Sequence, residues 1–178
     1  MKSVLISINP KWCELIASGE KTVEVRKSRP KLETPFKVYI YETKSLYKPN
    51  GCRCFYEGRG QVIGEFVCEK ILESFLNNND GWFVEKGCLT PEEIEKYQGD
   101  KAILYGWHIT DLVIYDKPKE LSEFYRYCGD SPKCDGCEAH YYSNTECGKE
   151  DYCCSVIDGC KPLKRPPQSW CYVEGRKS

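Results

Sequence analysis

The sequence predicts a mainly β, mixed α/β fold, an open β-barrel with short helices at its edges and a cysteine-rich insertion. Three observations predict it. Segments 3–8, 22–27, 36–42, 60–70, 102–115 and 170–174 are rich in Val, Ile, Tyr, Phe and Trp, and several alternate apolar with polar residues. Such segments form strands. Helical patterns are few, short and not regularly interleaved with strands, which disfavours a doubly wound sheet and favours a barrel. Seven of the 13 cysteines fall within residues 128–160, a stretch of different character from what flanks it.

The first strand, 3–8, stops at Asn9-Pro10. Asn9 caps a helix whose first residue is Pro10, because Pro lacks the N–H that would go unbonded there. Gly19 supplies the left-handed stop, so the helix covers 10–18, with Trp12, Leu15 and Ile16 on one side. Strand 22–27 places Val23 and Val25 on a core face and Thr22, Glu24 and Arg26 on the opposite one. Thr90-Pro91-Glu92-Glu93 is a capping-box start for a helix reaching about Gln98. A second helix is expected over 119–127. Residues 48–60, expected as a long hairpin tip, and 77–81, rich in Gly and Asn, read as loops.

With 178 residues, 40% hydrophobic and 30% charged, the chain has material for one domain with a real core. The apolar run at 3–8 is too short for a signal peptide, and no run is long enough to span a membrane. A cytoplasmic location without membrane contact is therefore expected, where thiols stay reduced. The net charge of −1 conceals an uneven distribution: +5 over 1–48, −5 over 49–127, −5 over 128–160 and +4 over 161–178. If the two basic ends meet, they form a positive surface suited to nucleic acid. Ordinary solvated lysines are the alternative.

Gly19, Lys21, Glu24 and Arg26 match every defined position of G-x-K-x-x-E-x-R, and this motif after a strand and short helix resembles the signature of the ASCH family. The strands holding Gly64-Glu65-Phe66 and Trp107-His108-Ile109, and the closing segment from Arg165 to Tyr172, also look like bacterial and phage members. The resemblance implies a PUA-like barrel whose motif lines a cleft for RNA or a modified nucleotide. Lys21 and Arg26 would donate to phosphate or base oxygens, and Glu24 would accept from an exocyclic amine. A plain Glu24–Arg26 ion pair at the barrel mouth is the competing reading. Some members are similar to hydrolases of N4-acetylcytidine, in which a threonine stands where this chain has Glu24; Lys21 and Thr22 would be the candidates here. Others are similar to metal-dependent ribonucleases, for which Glu24 and Glu65 are the candidate cation ligands.

Lys27 and Arg29 extend the motif into a cationic run that suits a phosphate backbone. Trp170, beside basic residues 161–165, is a candidate stacking face, and His108 a candidate acid–base group or a structural histidine. In the insertion, 128–160, which separates the barrel segments 1–127 and 161–178, Cys134 and Cys137 form a C-x-x-C knuckle. A structural zinc held by them and two of Cys128, Cys153, Cys154 and Cys160 is expected; Cys147 and His140 compete, and free thiols are the alternative. With a net charge of −5 the insertion does not suit a nucleic-acid backbone, and a protein partner, such as a host factor for a phage protein, fits it better.

Overall fold

A computed structural model describes residues 2–48, 55–75, 81–127 and 162–174. The cysteine-rich insertion, with its expected zinc ligands Cys128, Cys134, Cys137, Cys153, Cys154 and Cys160, lies outside the described residues. Among the described residues, no group of three or more His, Cys, Asp or Glu is placed to hold a metal ion. No helix among them is long and apolar enough to cross a membrane.

Among the described residues eight strands form: β1 (Lys2–Ile8), β2 (Val23–Arg26), β3 (Phe36–Glu42), β4 (Leu46–Tyr47), β5 (Tyr56–Glu57), β6 (Val62–Phe75), β7 (Ile103–Lys119) and β8 (Trp170–Glu174). Six make one sheet in the order β2-β7-β6-β3-β1-β8, and β4 pairs with β5 in a separate hairpin. Only β1 and β3 run parallel. A parallel pair requires a crossover; the chain makes it through helix α1 (Pro10–Ala17) and β2.

Alternation along β1 and β3 explains why both sheet faces are buried. Val4, Ile6, Ile8, Val38 and Ile40 join Phe66 and Trp107 in the main core, whereas Leu5, Tyr39 and Tyr41 join Val62, Phe124 and Val173 on the other side. β6 and β7 pair along most of their length, with register shifts between Val62 and Gly64, Glu65 and Val67, and Cys68 and Ile71. Such shifts bend and twist long strands, which lets a sheet curl.

The curl brings its two edge strands together. β2 and β8 share no ladder, yet Arg26 reaches Ser169, Trp170 Nε1 donates to Ser28 Oγ (3.1 Å), and the Lys31 amide donates to Tyr172 Oη (2.6 Å). Residues 26–31 and 169–172 therefore meet. The barrel is open in its backbone and closed by side chains.

Helix α1 begins as expected, with Asn9 Oδ1 accepting from the Lys11 amide and Pro10 at the first turn, and Gly19 follows it at φ +81°. Helix α3 (Pro91–Gln98) carries the expected capping box between Thr90 and Glu93. Helix α2 (Gly81–Gly87) was not expected, since the Asn- and Gly-rich stretch 77–81 that leads into it reads as a loop and the helix is only two turns long. Together α2 and α3 cover Val23 and Val25 through Trp82, Phe83, Ile94 and Tyr97.

The expected helix over 119–127 does not form. Only Leu121–Glu123 make a single 3₁₀ turn. Phe124 is drawn into the second core, and Tyr125 and Arg126 form bridges to Pro162 and Val173. Aromatic burial and strand-like pairing override the local helical tendency.

Candidate functional site

The two faces of β2 meet different surroundings. Val23 and Val25 lie under α2 and α3, in a small core of their own. Glu24 and Arg26 pair in register with Trp107 and Tyr105, and cross-strand partners share a face. They therefore point to the side of the main core, which corrects the expectation that the valines alone face a core. The motif's polar residues are its inward ones.

Lys21, just before the strand, turns in with them. Lys21, Glu24 and Arg26 are 2%, 5% and 8% exposed. Glu24 stands between the cations, its Oε1 at 2.9 Å from Arg26 Nη2 and its Oε2 at 3.5 Å from Lys21 Nζ. Lys21 Nζ also donates to the Gly87 carbonyl at the end of α2 (2.6 Å), and Arg26 Nη2 donates to the Ser7 carbonyl on β1 (2.6 Å). Buried ions are tolerated only when paired and hydrogen-bonded in this way. Burial lowers the Lys21 pKa below its ordinary value, an effect that the charge and hydrogen bond of Glu24 oppose.

These three residues form part of the lining of a cavity of about 510 Å³. β1 and the turn after it contribute Ser7, Ile8 and Asn9; α1 contributes Trp12; β2 adds Val25; and Leu89 with Glu93, Lys96 and Tyr97 of α3 closes the other side. Two cations face one carboxylate within the triad. Arg26 Nε, although buried, has no hydrogen-bond partner. At the rim Lys11 Nζ bonds Glu93 Oε1 (2.8 Å) and lies 4.1 Å from the Trp12 ring centroid. The site thus offers cationic donors and two aromatic rings, Trp12 and Tyr97, around one concavity.

The structure brings together Lys21, Glu24 and Arg26 from the residues singled out in the sequence. Thr22, half-buried, is absent from the cavity lining. Glu65 belongs elsewhere: its oxygens take bonds from Lys37 Nζ (2.6 Å) and Tyr115 Oη (2.5 Å), next to Tyr39 of the second core. Lys27 is exposed, with its ammonium 5.1 Å from the Tyr97 ring centroid, and exposed Arg29 reaches Glu73 (3.7 Å). Trp170 packs against Trp107 and Tyr172, at 6.0 and 5.4 Å between ring centroids. His108, on the face of β7 opposite to Trp107, lies 3.8 Å from Glu69.

Glu93, Lys96 and Tyr97 are among the lining residues that sequence reasoning missed. Their helix was legible from its capping box, but nothing local in the sequence says that it packs against β2. The one signal was the apolar spacing of Ile94 and Tyr97.

The fold is similar to that of ASCH from Zymomonas mobilis, whose crystal structure aligns with a TM-score of 0.58 and 17% identity over 97% of this chain and 87% of that one. Crystal structures of two mutants of that protein align with TM-scores of 0.55 at 17% identity, covering 97% of this chain and 88% of that one, and 0.50 at 22% identity, covering 68% and 77%. At these identities the likeness speaks for the fold. A search of curated proteins finds no match. The model of the ASCH domain matches residues 6–163, most of the sequence, and the chain belongs to the ASCH domain family.

Proposed function

We propose that this ASCH-family chain binds RNA or a modified nucleotide, with one nucleotide unit held in the cavity between Trp12, the Lys21–Glu24–Arg26 triad and Tyr97. The observation that carries the reading is the triad itself. A cavity of this size falls within the range of small-molecule pockets, about 300–1,000 Å³. Two buried cations against one carboxylate leave an excess of positive charge on its wall, which favours a phosphate or a base carbonyl oxygen. Glu24 holds both cations and keeps lone pairs for a base amine. Trp12 and Tyr97 supply rings for stacking.

Binding is measured by intrinsic tryptophan fluorescence and calorimetry, using the four nucleoside monophosphates, N4-acetylcytidine and a single-stranded RNA of about ten nucleotides. Wild-type protein is expected to bind at least one of them in a salt-sensitive way, and Lys21→Ala to weaken that binding by about tenfold or more, the loss of one charge-assisted hydrogen bond. Unchanged affinity in a folded Lys21→Ala protein would overturn the site.

A second reading, a hydrolase of a modified nucleoside, draws on the same lysine, because an amine whose pKa is lowered by burial is the form used as base or nucleophile. It predicts turnover of N4-acetylcytidine in the same tubes, abolished by Lys21→Ala. Binding without turnover leaves the first reading standing alone.

A further inference from the structure

No described residue of the hairpin formed by β4 and β5 belongs to a core cluster. Leu46 and Phe55 are 68% and 67% exposed and Tyr56 is 39% exposed. Two-stranded hairpins are marginal on their own, and among the described residues the anchors of this one lie at its base. There Gly58 donates its amide to the Ser45 carbonyl (3.2 Å), and Thr43 donates its amide to the Ile8 carbonyl (2.9 Å). Asn9 Nδ2 donates to Ser45 Oγ (3.0 Å). Gly58 sits so tightly that a Cβ there would lie 2.0 Å from the Thr43 carbonyl oxygen and 2.5 Å from Pro10 Cγ.

Ile8 and Asn9, which receive these anchors, are themselves lining residues of the cavity. The hairpin is therefore fixed at the cavity's edge, with its apolar side chains held out in solvent. Their chemistry is not that of a plain greasy patch. Lys48 Nζ lies 5.8 Å from the centroid of the Phe55 ring, Tyr47 and Tyr56 are cross-strand partners, and Lys44 and Arg59 flank the base. Among the described residues of the hairpin and its base, Arg59 is held by Glu42, which accepts from its amide (2.8 Å) and lies 3.6 Å from its guanidinium, and Lys44 and Lys48 stand against Glu57 alone.

From this we infer that the hairpin is a stacking platform for a single-stranded nucleic acid, receiving the nucleotides next to the one held in the cavity. The inference rests on the nucleotide reading of the cavity and extends it from a single unit to a strand. Exposed aromatic rings interleaved with cations are the combination that binds single strands without sequence preference: the rings take the base faces and the cations take the phosphates. An apolar protein partner would gain nothing from Lys44 and Lys48. A phosphodiester chain would.

The test compares a nucleoside monophosphate with a fluorescein-labelled ten-nucleotide single-stranded RNA, on wild-type protein and on a Phe55→Ala/Tyr56→Ala double variant. Both substituted side chains are exposed, and circular dichroism verifies the fold. Wild type is expected to bind the oligonucleotide more tightly than the monophosphate. The double variant should lose about tenfold or more in oligonucleotide affinity, the effect of removing stacking partners, while monophosphate affinity stays within about twofold. Lys48→Ala should flatten the salt dependence of oligonucleotide binding by about one ion.

Unchanged oligonucleotide affinity in the double variant overturns the platform, and so does equal affinity of wild type for the two probes. Loss of monophosphate binding alone, with hairpin-dependent oligonucleotide binding kept, would instead overturn the cavity reading. If wild type binds neither probe, both fall, and the exposed face is left to a protein partner.

Discussion

At the scale of single residues, the informative group is Lys21, an ammonium held almost out of solvent between one carboxylate and one backbone carbonyl. Its pKa in the folded chain lies below the ordinary 10.5, because burial disfavours the charged form more than Glu24 restores it. The sign of the linkage follows. Between the folded and unfolded pKa values the unfolded chain carries more protons, so stability rises with pH across that window. Below the window the cost of the buried charge is present in full, and above it the cost is gone. In Lys21→Met nothing titrates at this position. Urea unfolding of wild type and variant from about pH 8 to about pH 10.5 should therefore show wild type gaining stability relative to the variant as pH rises, while the thiols and tyrosines common to both cancel. A difference that stays flat would mean that Lys21 keeps an ordinary pKa.

At the scale of elements, α2 connects the sheet to the site. Its Trp82 lies over Gly106 of β7, where an added Cβ would come within 2.5 Å of the indole and 2.9 Å of Val23 Cγ1. Trp82 in turn stacks on Phe83, at 4.0 Å between centroids, and the same helix ends at Gly87, whose carbonyl accepts from Lys21. Gly106→Ala should push Trp82 and with it the helix away from β2, with a loss of about 1–3 kcal/mol typical of overpacking. If the helix carries the Gly87 carbonyl with it, nucleotide affinity should also fall. Urea melts and the monophosphate titration check both, and a loss of stability without any loss of affinity would uncouple α2 from the site. Much of this arrangement was legible in the sequence, and the reasons divide cleanly. β1, α1, β3, α3 and β8 were read close to their bounds because each carries its own punctuation, such as Asn9-Pro10, Gly19 or the Thr90–Glu93 box. β6 and β7 run past their expected ends, to Phe75 and Lys119, because a long partner strand sustains pairing that neither sequence announces alone. The triad was legible as a motif, while its inward direction was not. Which face of a half-polar strand is buried depends on what packs against the other face, here α2 and α3.

For the whole molecule the decisive feature is how an open barrel stays closed. β2 and β8 have no ladder between them, and Arg26 occupies the gap: its guanidinium holds Glu24 on its own strand, the Ser7 carbonyl on β1, and more loosely Ser169 Oγ (3.5 Å) just before β8. The same residue is thus a wall of the cavity and a fastening of the sheet, so the fold and the site cannot be varied independently there. A planar fork with several donors can serve partners in different directions at once, and an ammonium on a shorter reach cannot. Arg26→Lys keeps the charge that Glu24 needs but loses the span. It should destabilise the protein by about 2–3 kcal/mol, the worth of a hydrogen bond to a charged group together with an unsatisfied carbonyl. The damage should be local first. In hydrogen exchange, the Ser7 amide, which donates to the Ser169 carbonyl at 2.9 Å, should lose protection well before the amides paired between β3 and β6. Ser169→Ala, which removes only the longest of the three contacts, should cost less than about 1 kcal/mol and leave that pattern unchanged. If Arg26→Lys instead loosens β1, β3 and β6 together, the guanidinium supports the core as a whole, and the closure between β2 and β8 is held by Trp170–Ser28 and Tyr172–Lys31.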